Sequence, residues 1–148
     1  MTILAAALQD VSTTTTTRSA RGSLPGKKAI WTGRVLSGLA VTFLAFDAGF
    51  KFMTTPEAVA ATAELGWPTD VLPVLGVIEL VCLALYLVPR AAILGAVLWT
   101  GYLGGAIATH LRVHNPLLSH TLFPIYIAIL IWGGLLLRDR RARALIAG

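Results

Sequence analysis

The sequence predicts an all-α fold, a four-helix transmembrane bundle with its N and C termini in the cytoplasm. Of the 148 residues, 56% are hydrophobic and 13% are charged, and the mean hydropathy is +0.77. A soluble domain carries about 25% charged residues, so much of the outer surface of this chain must be apolar too. The apolar residues also fall into four stretches, each close to the roughly 20 residues that a helix needs to cross a bilayer.

The predicted spans are residues 30–52, 71–88, 91–109 and 121–137. Pro89 and Arg90 alone separate the second span from the third. Because proline cannot continue a helix interior without losing a backbone hydrogen bond, these two spans form a tight hairpin.

The other two links are longer. In residues 53–70, a Thr-Thr-Pro start signal at residues 54–56 and a Gly-Trp-Pro stop at 66–68 predict a short interfacial helix. Trp67 suits the level of the lipid headgroups. In residues 110–120, Pro116 should end the third helix by about Asn115.

The regions outside the spans are predicted to be cytoplasmic tails. Residues 1–29 are Thr-rich and have no apolar period long enough to bury, which predicts a disordered tail. Residues 143–148 form a short basic tail, so the membrane domain covers 30–142.

Orientation follows from the distribution of lysine and arginine. With four spans, ten of the twelve basic residues fall on the side of the two termini and the hairpin, and only Lys51 and Arg112 fall on the other. The positive-inside rule then places both termini in the cytoplasm of a cell, as in a bacterial inner membrane, and links 53–70 and 110–120 outside.

The net charge of +5 does not indicate a nucleic-acid-binding protein. The basic residues lie in short clusters beside apolar spans instead of forming a broad patch. The expected partner is therefore the lipid bilayer. The single cysteine, Cys82, excludes an intramolecular disulfide and a cysteine-based metal site.

Ionisable residues within spans are functional candidates, because a charge in hydrocarbon costs at least about 2.5 kcal/mol. Arg34 lies about one turn into the first span and can extend its guanidinium to the phosphate headgroups. Asp47 precedes Lys51 by four residues, the spacing at which opposite charges meet on one helical face. An ion pair at the membrane interface is the structural interpretation of Asp47 and Lys51, and Asp47 stays a functional candidate.

Glu79 is the most informative residue. By helical rise it lies about 12 Å inside the core, where it should face the bundle interior. Tyr102 and Tyr126 are predicted at the same level, each able to hydrogen-bond a carboxyl group, whereas no cation is expected to reach it. Desolvation then favours a protonated Glu79, acting either as a structural cross-link or in proton transfer or ligand binding.

Two further motifs have weaker implications. Three histidines, His110, His114 and His120, cluster at the outer ends of the last two spans, where a metal site is conceivable. The helix dipole alone accounts for histidine near a helix C-terminus, so no metal is predicted. Gly101 and Gly105 form a G-x-x-x-G pair, predicted to lie at a helix contact within the bundle.

The sequence resembles the DoxX-like family of small bacterial membrane proteins over roughly residues 30–142. The resemblance rests on four segments: FDAGFKF at 46–52, GVIEL at 76–80, YLVPRAAILGAVLWTGYLGGAIATHLR at 86–112 and LLLRDRR at 135–141. It implies a four-helix membrane bundle and a distant link to a subunit of archaeal thiosulfate:quinone oxidoreductase. Related members are associated with oxidative-stress membrane complexes.

Three functions remain open on the sequence. The first is an accessory or scaffold subunit of a membrane complex, with protein partners in the same membrane. The second is an oxidoreductase subunit that binds a quinone cofactor among Glu79, Tyr102 and His110. The third is a small proton-coupled transporter that uses Glu79, although no inverted repeat is visible. Whether the protein is an enzyme, and in which oligomeric state it exists, stays open.

Overall fold

The computed structural model describes residues 26–147, and in that range the regular elements are all helices. The α-helices are α1 (Lys27–Met53), α2 (Pro56–Glu64), α3 (Leu72–Leu87), α4 (Ala92–Arg112), α5 (Phe123–Arg138) and α6 (Arg140–Ala147). A 3-10 turn, Thr69–Val71, leads into α3, and a π-helical turn, Leu117–Thr121, leads into α5.

Four of these helical segments are long and apolar enough to cross a membrane: Lys27–Met53, Thr69–Leu87, Ala92–Arg112 and Leu117–Arg138. The predicted four-helix transmembrane fold is confirmed. Below, the terminal end is the end of the bundle with Lys27, the hairpin at residues 88–91 and Arg138. The loop end is the opposite end, with residues 54–71 and 113–122.

The described parts of the two predicted tails contain helix. Helix α1 begins at Lys27, so the last three residues of the predicted 1–29 tail are helical; residues 1–25 lie outside the described part of the chain. Helix α6 covers most of the predicted 143–148 tail. Oδ1 of Asp139 accepts a hydrogen bond from the backbone N–H of Arg141 at 2.8 Å, which caps the first turn of this helix.

The loop-end links follow the sequence signals. Helix α2 is the predicted short helix: Oγ1 of Thr55 accepts a hydrogen bond from the backbone N–H of Ala58 at 3.3 Å, and the chain turns after it at Gly66, with φ of 72°. Helix α4 ends at Arg112, before the predicted limit of Asn115. His114 then takes a left-handed conformation, with φ of 58°.

Packing places α1 against α3 and α5, and α4 against the same two helices. Helices α1 and α4 therefore occupy opposite corners of the bundle. The core between them is apolar and includes Leu44, Leu83, Trp99, Ile131 and Leu135. Many large apolar side chains elsewhere are exposed, as expected of a surface that meets lipid.

Glycine determines two close helix contacts. A Cβ atom on Gly134 of α5 would lie 2.8 Å from the backbone N of Ser37 in α1, and one on Gly33 would lie 2.8 Å from Cβ of Leu137. A Cβ atom on Gly95 of α4 would lie 2.6 Å from Cα of Tyr86 in α3. These glycines let helix backbones approach each other, the contact that small residues provide in membranes.

The predicted contact at Gly101 and Gly105 is wrong. An added Cβ atom on either residue would meet nothing within 4 Å, and both are exposed. Helix α4 instead buries the opposite face, with Trp99 and Leu103. The G-x-x-x-G spacing identified a face without large side chains, but only the direction of the apolar core could show which way that face points.

A buried polar link joins three helices near the terminal end. The hydroxyl of Tyr86 in α3 donates to the carbonyl of Ile131 in α5 at 2.9 Å. It lies 2.9 Å from Oγ of Ser37 in α1, which completes the link as donor. Neither side chain was predicted from the sequence to have a role. The available signal was Tyr86 itself, since a buried tyrosine hydroxyl in an apolar span needs a partner.

Candidate functional site

Three charged side chains meet between α1 and α3 and form an ionic cluster. Asp47 and Lys51, one turn apart on α1, form an ion pair. Nζ of Lys51 also donates a hydrogen bond to Oε1 of Glu79 on α3 at 2.8 Å. Lys51 therefore bridges the two acids and ties the last two turns of α1 to the middle of α3.

The exposure of the three side chains increases from the interior of the bundle to its surface. The Glu79 side chain is 1% exposed and that of Lys51 is 17% exposed, whereas that of Asp47 is 41% exposed. One end of the cluster is thus enclosed by protein, and the other is open to the surroundings of the bundle. Lys51 links the buried Glu79 to the partly exposed Asp47.

A glycine makes the bridge possible. Gly76, one turn before Glu79 on α3, faces the end of α1: an added Cβ atom there would lie 3.1 Å from the ring of Phe52 and 3.5 Å from Cβ of Lys51. The two helices can therefore approach at this level. The lysine side chain then folds inward along α3 instead of outward to the interface.

The expectation that no cation reaches Glu79 is wrong. The prediction from helical rise placed the ammonium group of Lys51 at the level of its own Cα atom, near the membrane interface. A lysine side chain has four methylene groups, enough to carry the ammonium group to Glu79 once the backbones are close. The predicted protonated state of Glu79 rested on the absence of a nearby cation, and the contact with Lys51 removes that basis.

Tyr102 and Tyr126 occupy different environments. Tyr102 on α4 lies beside Glu79, as predicted from its level, and its ring packs edge-on against Trp99 with centroids 5.5 Å apart. Tyr126 on α5 is 46% exposed, and its hydroxyl lies 3.5 Å from the carbonyl of Leu118. The predicted place of Tyr126 beside Glu79 is therefore wrong, because its helical face points outward.

One atom of the cluster is unsatisfied. Oε2 of Glu79 is buried and has no hydrogen-bond partner among residues 26–147. The neighbouring Tyr102 phenol does not supply a hydrogen bond of normal geometry. An unpaired buried carboxylate oxygen is costly, so this atom is where a water molecule or a polar ligand group would bind.

The histidines do not join this cluster. Nδ1 of His110 lies 2.8 Å from Nδ2 of Asn115, and its ring is 6.1 Å from that of His120. His110 is eight residues after Tyr102 on α4, about 12 Å along the helix axis, so the predicted set of Glu79, Tyr102 and His110 is not assembled. Within residues 26–147, no group of three His, Cys, Asp or Glu side chains is placed to hold a metal ion.

Arg34 lies apart from the ionic cluster, whereas Cys82 lies close to Glu79 and Tyr102. Arg34 is exposed near the terminal end, where its guanidinium can reach headgroups as predicted. Cys82 is a buried free thiol on the same helix as Glu79. The groups that meet here are two carboxylates, an ammonium group, a phenol and a thiol, and the chemistry available to them is ionic cross-linking, hydrogen bonding and proton exchange.

This fold and site define a small helical membrane protein with an ionic cluster inside its bundle. A profile of the DoxX-like family matches residues 35–134, well over half of the chain. The protein belongs to the DoxX-like family, as the sequence resemblance indicated. Neither a curated protein nor a solved structure matched the chain.

Proposed function

We propose that this protein is an accessory subunit of a membrane complex, in which the ionic cluster stabilises the bundle. The observation that carries this proposal is the double contact of Lys51 with Asp47 and Glu79. A carboxylate that binds a transported ion or a substrate needs to exchange partners. Glu79 already has a cation from its own chain, so a structural role fits it best. A transporter would need Glu79 to be free to bind the transported ion.

A surface on α4 supports the proposal of a partner. Its small residues Gly101, Gly104, Gly105 and Ala108 are exposed along one face, which we call the glycine face. It continues into a groove of about 590 Å³ walled by residues 66–68 and Arg112. Small residues let a second transmembrane helix approach closely where lipid removes the hydrophobic incentive to associate. The occupant that fits is a transmembrane helix of another protein.

One wall of the groove is fixed in place. Nη2 of Arg112 donates a hydrogen bond to the carbonyl of Leu65 at 2.6 Å, and its guanidinium lies 6.0 Å from the centre of the Trp67 ring. These contacts hold the link after α2 against the end of α4. A partner helix would therefore meet a preformed surface, which lowers the cost of association.

Gly105→Leu tests the proposal. We expect about tenfold less partner protein to co-purify in mild detergent, because the leucine side chain keeps a second helix away. The thermal stability of the isolated subunit should not change, since an added Cβ atom at the exposed Gly105 meets nothing within 4 Å in the bundle. Quantitative mass spectrometry of the purified complex measures the first effect, and a melting curve in the same detergent measures the second.

Gly38→Leu is the matched control. Gly38 is an exposed glycine on α1, and an added Cβ atom there also meets nothing within 4 Å. This variant should retain the partner. Equal loss from both variants, or no loss from Gly105→Leu, contradicts the proposed surface; loss of a second copy of this chain in place of another protein would make the surface a homodimer interface.

A quinone-binding oxidoreductase subunit is the second candidate. The unpartnered Oε2 of Glu79 beside the Tyr102 phenol favours it, since a polar ligand group would satisfy that oxygen. The same purified material decides between the two. An accessory subunit carries no stoichiometric quinone in its lipid extract, whereas a quinone subunit carries one and loses it in Tyr102→Phe.

The orientation of the protein is part of the proposal. The protein lies in the cell membrane with its terminal end on the cytoplasmic side, because that end holds most of the basic residues. A reporter enzyme that is active only outside the cytoplasm, fused after Arg143, should give no activity. The same reporter inserted after Glu64, in the loop-end link, should be active. The reverse pattern would invert the topology.

A further inference from the structure

A second cluster of charge, separate from Asp47, Lys51 and Glu79, lies at the terminal end of the bundle. A recess of about 250 Å³ opens there between the start of α1, the α3–α4 hairpin and the junction of α5 with α6. Its charged lining side chains are Arg34, Arg138, Asp139 and Arg140, and its apolar ones are Ile30, Pro89 and Ala92. We call it the arginine recess.

The recess has an excess of positive charge. Within residues 26–147, neither Arg34 nor Arg138 nor Arg140 makes an ion pair with an acidic side chain. Asp139 is the one acid in the lining, and its carboxylate already caps α6 through the N–H of Arg141. Three guanidinium groups around one engaged carboxylate leave a net positive charge that an anion from outside the chain can neutralise.

One of the arginines is held in position. Nη2 of Arg138 lies 3.4 Å from the carbonyl of Tyr86, to which it donates, and its guanidinium stacks over the Tyr86 ring at 5.0 Å from the ring centre. Tyr86 in turn is anchored to Ile131 through its hydroxyl. The recess is therefore built on a rigid wall, with Arg34 and Arg140 on more exposed positions beside it.

The surroundings of the recess indicate a lipid. Trp31 on α1 is 69% exposed and Val88 in the hairpin is 50% exposed, so apolar side chains that acyl chains can contact flank the recess. Helix α6 carries the arginines at 140, 141 and 143; its Ala142 packs into the core of the bundle, while Leu145 and Ile146 are exposed apolar side chains. Basic side chains beside exposed apolar ones suit the headgroup level of a membrane.

We propose that the arginine recess binds the phosphate group of an anionic phospholipid, with Arg34, Arg138 and Arg140 as its ligands. Guanidinium groups bind phosphate oxygens through paired hydrogen bonds, and basic pockets between transmembrane helices take up anionic headgroups. The flanking apolar surface distinguishes a lipid phosphate from free phosphate. This inference is independent of the proposed role as an accessory subunit.

The test compares two double variants of the full chain with the same change in charge. Arg34→Gln with Arg140→Gln removes two ligands from the recess. Arg90→Gln with Arg141→Gln removes two arginines at the same end that do not line it. Titration with phosphatidylglycerol in detergent, followed by native mass spectrometry, measures binding. We expect about thirty-fold weaker binding in the first pair and near wild-type binding in the second.

Two parallel titrations identify the ligand. Phosphatidylcholine and inorganic phosphate should each bind the wild-type protein far more weakly than phosphatidylglycerol does. Equal binding of phosphatidylcholine would exclude selection for an anionic lipid, and equal binding of inorganic phosphate would make the recess a site for free phosphate. Equal weakening in both double variants would mean diffuse surface charge and no site. Arg140→Gln alone, at an exposed position, repeats the test if the double variant does not fold.

Discussion

Gly134→Ala should lower the free energy of unfolding by about 3 kcal/mol, the upper end of what overpacking costs. The new Cβ atom would lie 2.5 Å from Oγ of Ser37, 2.8 Å from its backbone N and 3.0 Å from the carbonyl oxygen of Gly33. Two of these atoms belong to the backbone of α1, so the helices must move apart. Their separation also strains the hydrogen bond of Ser37 with Tyr86. A melting curve or an unfolding titration in one detergent measures the loss.

The neighbouring glycine provides a matched control. A Cβ atom on Gly133 would meet only Cδ1 of Leu36, at 3.9 Å, which is an ordinary contact. Gly133→Ala should be neutral or slightly stabilising, because alanine has a helix propensity up to about 1 kcal/mol better than glycine. If both variants lose the same stability, the close contact of α1 with α5 at Gly134 is not as described.

Lys51→Met should lower the free energy of unfolding by about 3 kcal/mol, the largest loss expected from a single change in the ionic cluster. Removing one partner of a buried ion pair leaves the other charge without compensation, and Glu79 is 1% exposed. Methionine keeps the length of the side chain, so the loss reports the charge and its hydrogen bonds. The same unfolding titration as for Gly134→Ala measures it.

A second substitution should restore most of the stability. In Lys51→Met with Glu79→Leu, no buried charge is left, and apolar replacements of a buried pair are often neutral or better. Lys28→Met, which removes an exposed lysine from the same helix, is the control for a loss of positive charge and should have little effect. The single variant Glu79→Leu completes the comparison. If the loss of stability in the double variant equals the sum of the losses in the two single variants, the two side chains do not interact.

The sequence predicted the spans well because membrane insertion depends on local properties. Length, hydropathy and the Pro89 hairpin are readable over a few residues, and the structure follows them within a turn at most ends. The start of α1 at Lys27 was missed because an exposed helical turn of lysines needs no apolar pattern. Helix α6 was missed because its main start signal is a single capping residue, Asp139.

The side-chain pairings were less predictable, because they depend on which helix faces approach each other. The level of Tyr102 relative to Glu79 came out correctly, since helical rise gives depth. The orientation of Tyr126 and of the glycine face did not, since depth says nothing about rotation about the helix axis. The inward bend of Lys51 required the contact at Gly76, a tertiary feature that no spacing within one helix contains.

The protonation state of Glu79 tests the ionic cluster most directly. Infrared difference spectra between the wild-type protein and Glu79→Gln, both in lipid bilayers at neutral pH, separate an ionised from a protonated carboxyl group. With Lys51 bound to Glu79, the variant should lose ionised carboxylate bands, and a protonated carboxyl band should arise only in Lys51→Met. Loss of a protonated carboxyl band from the wild-type protein on Glu79→Gln would contradict the bridge between Asp47, Lys51 and Glu79.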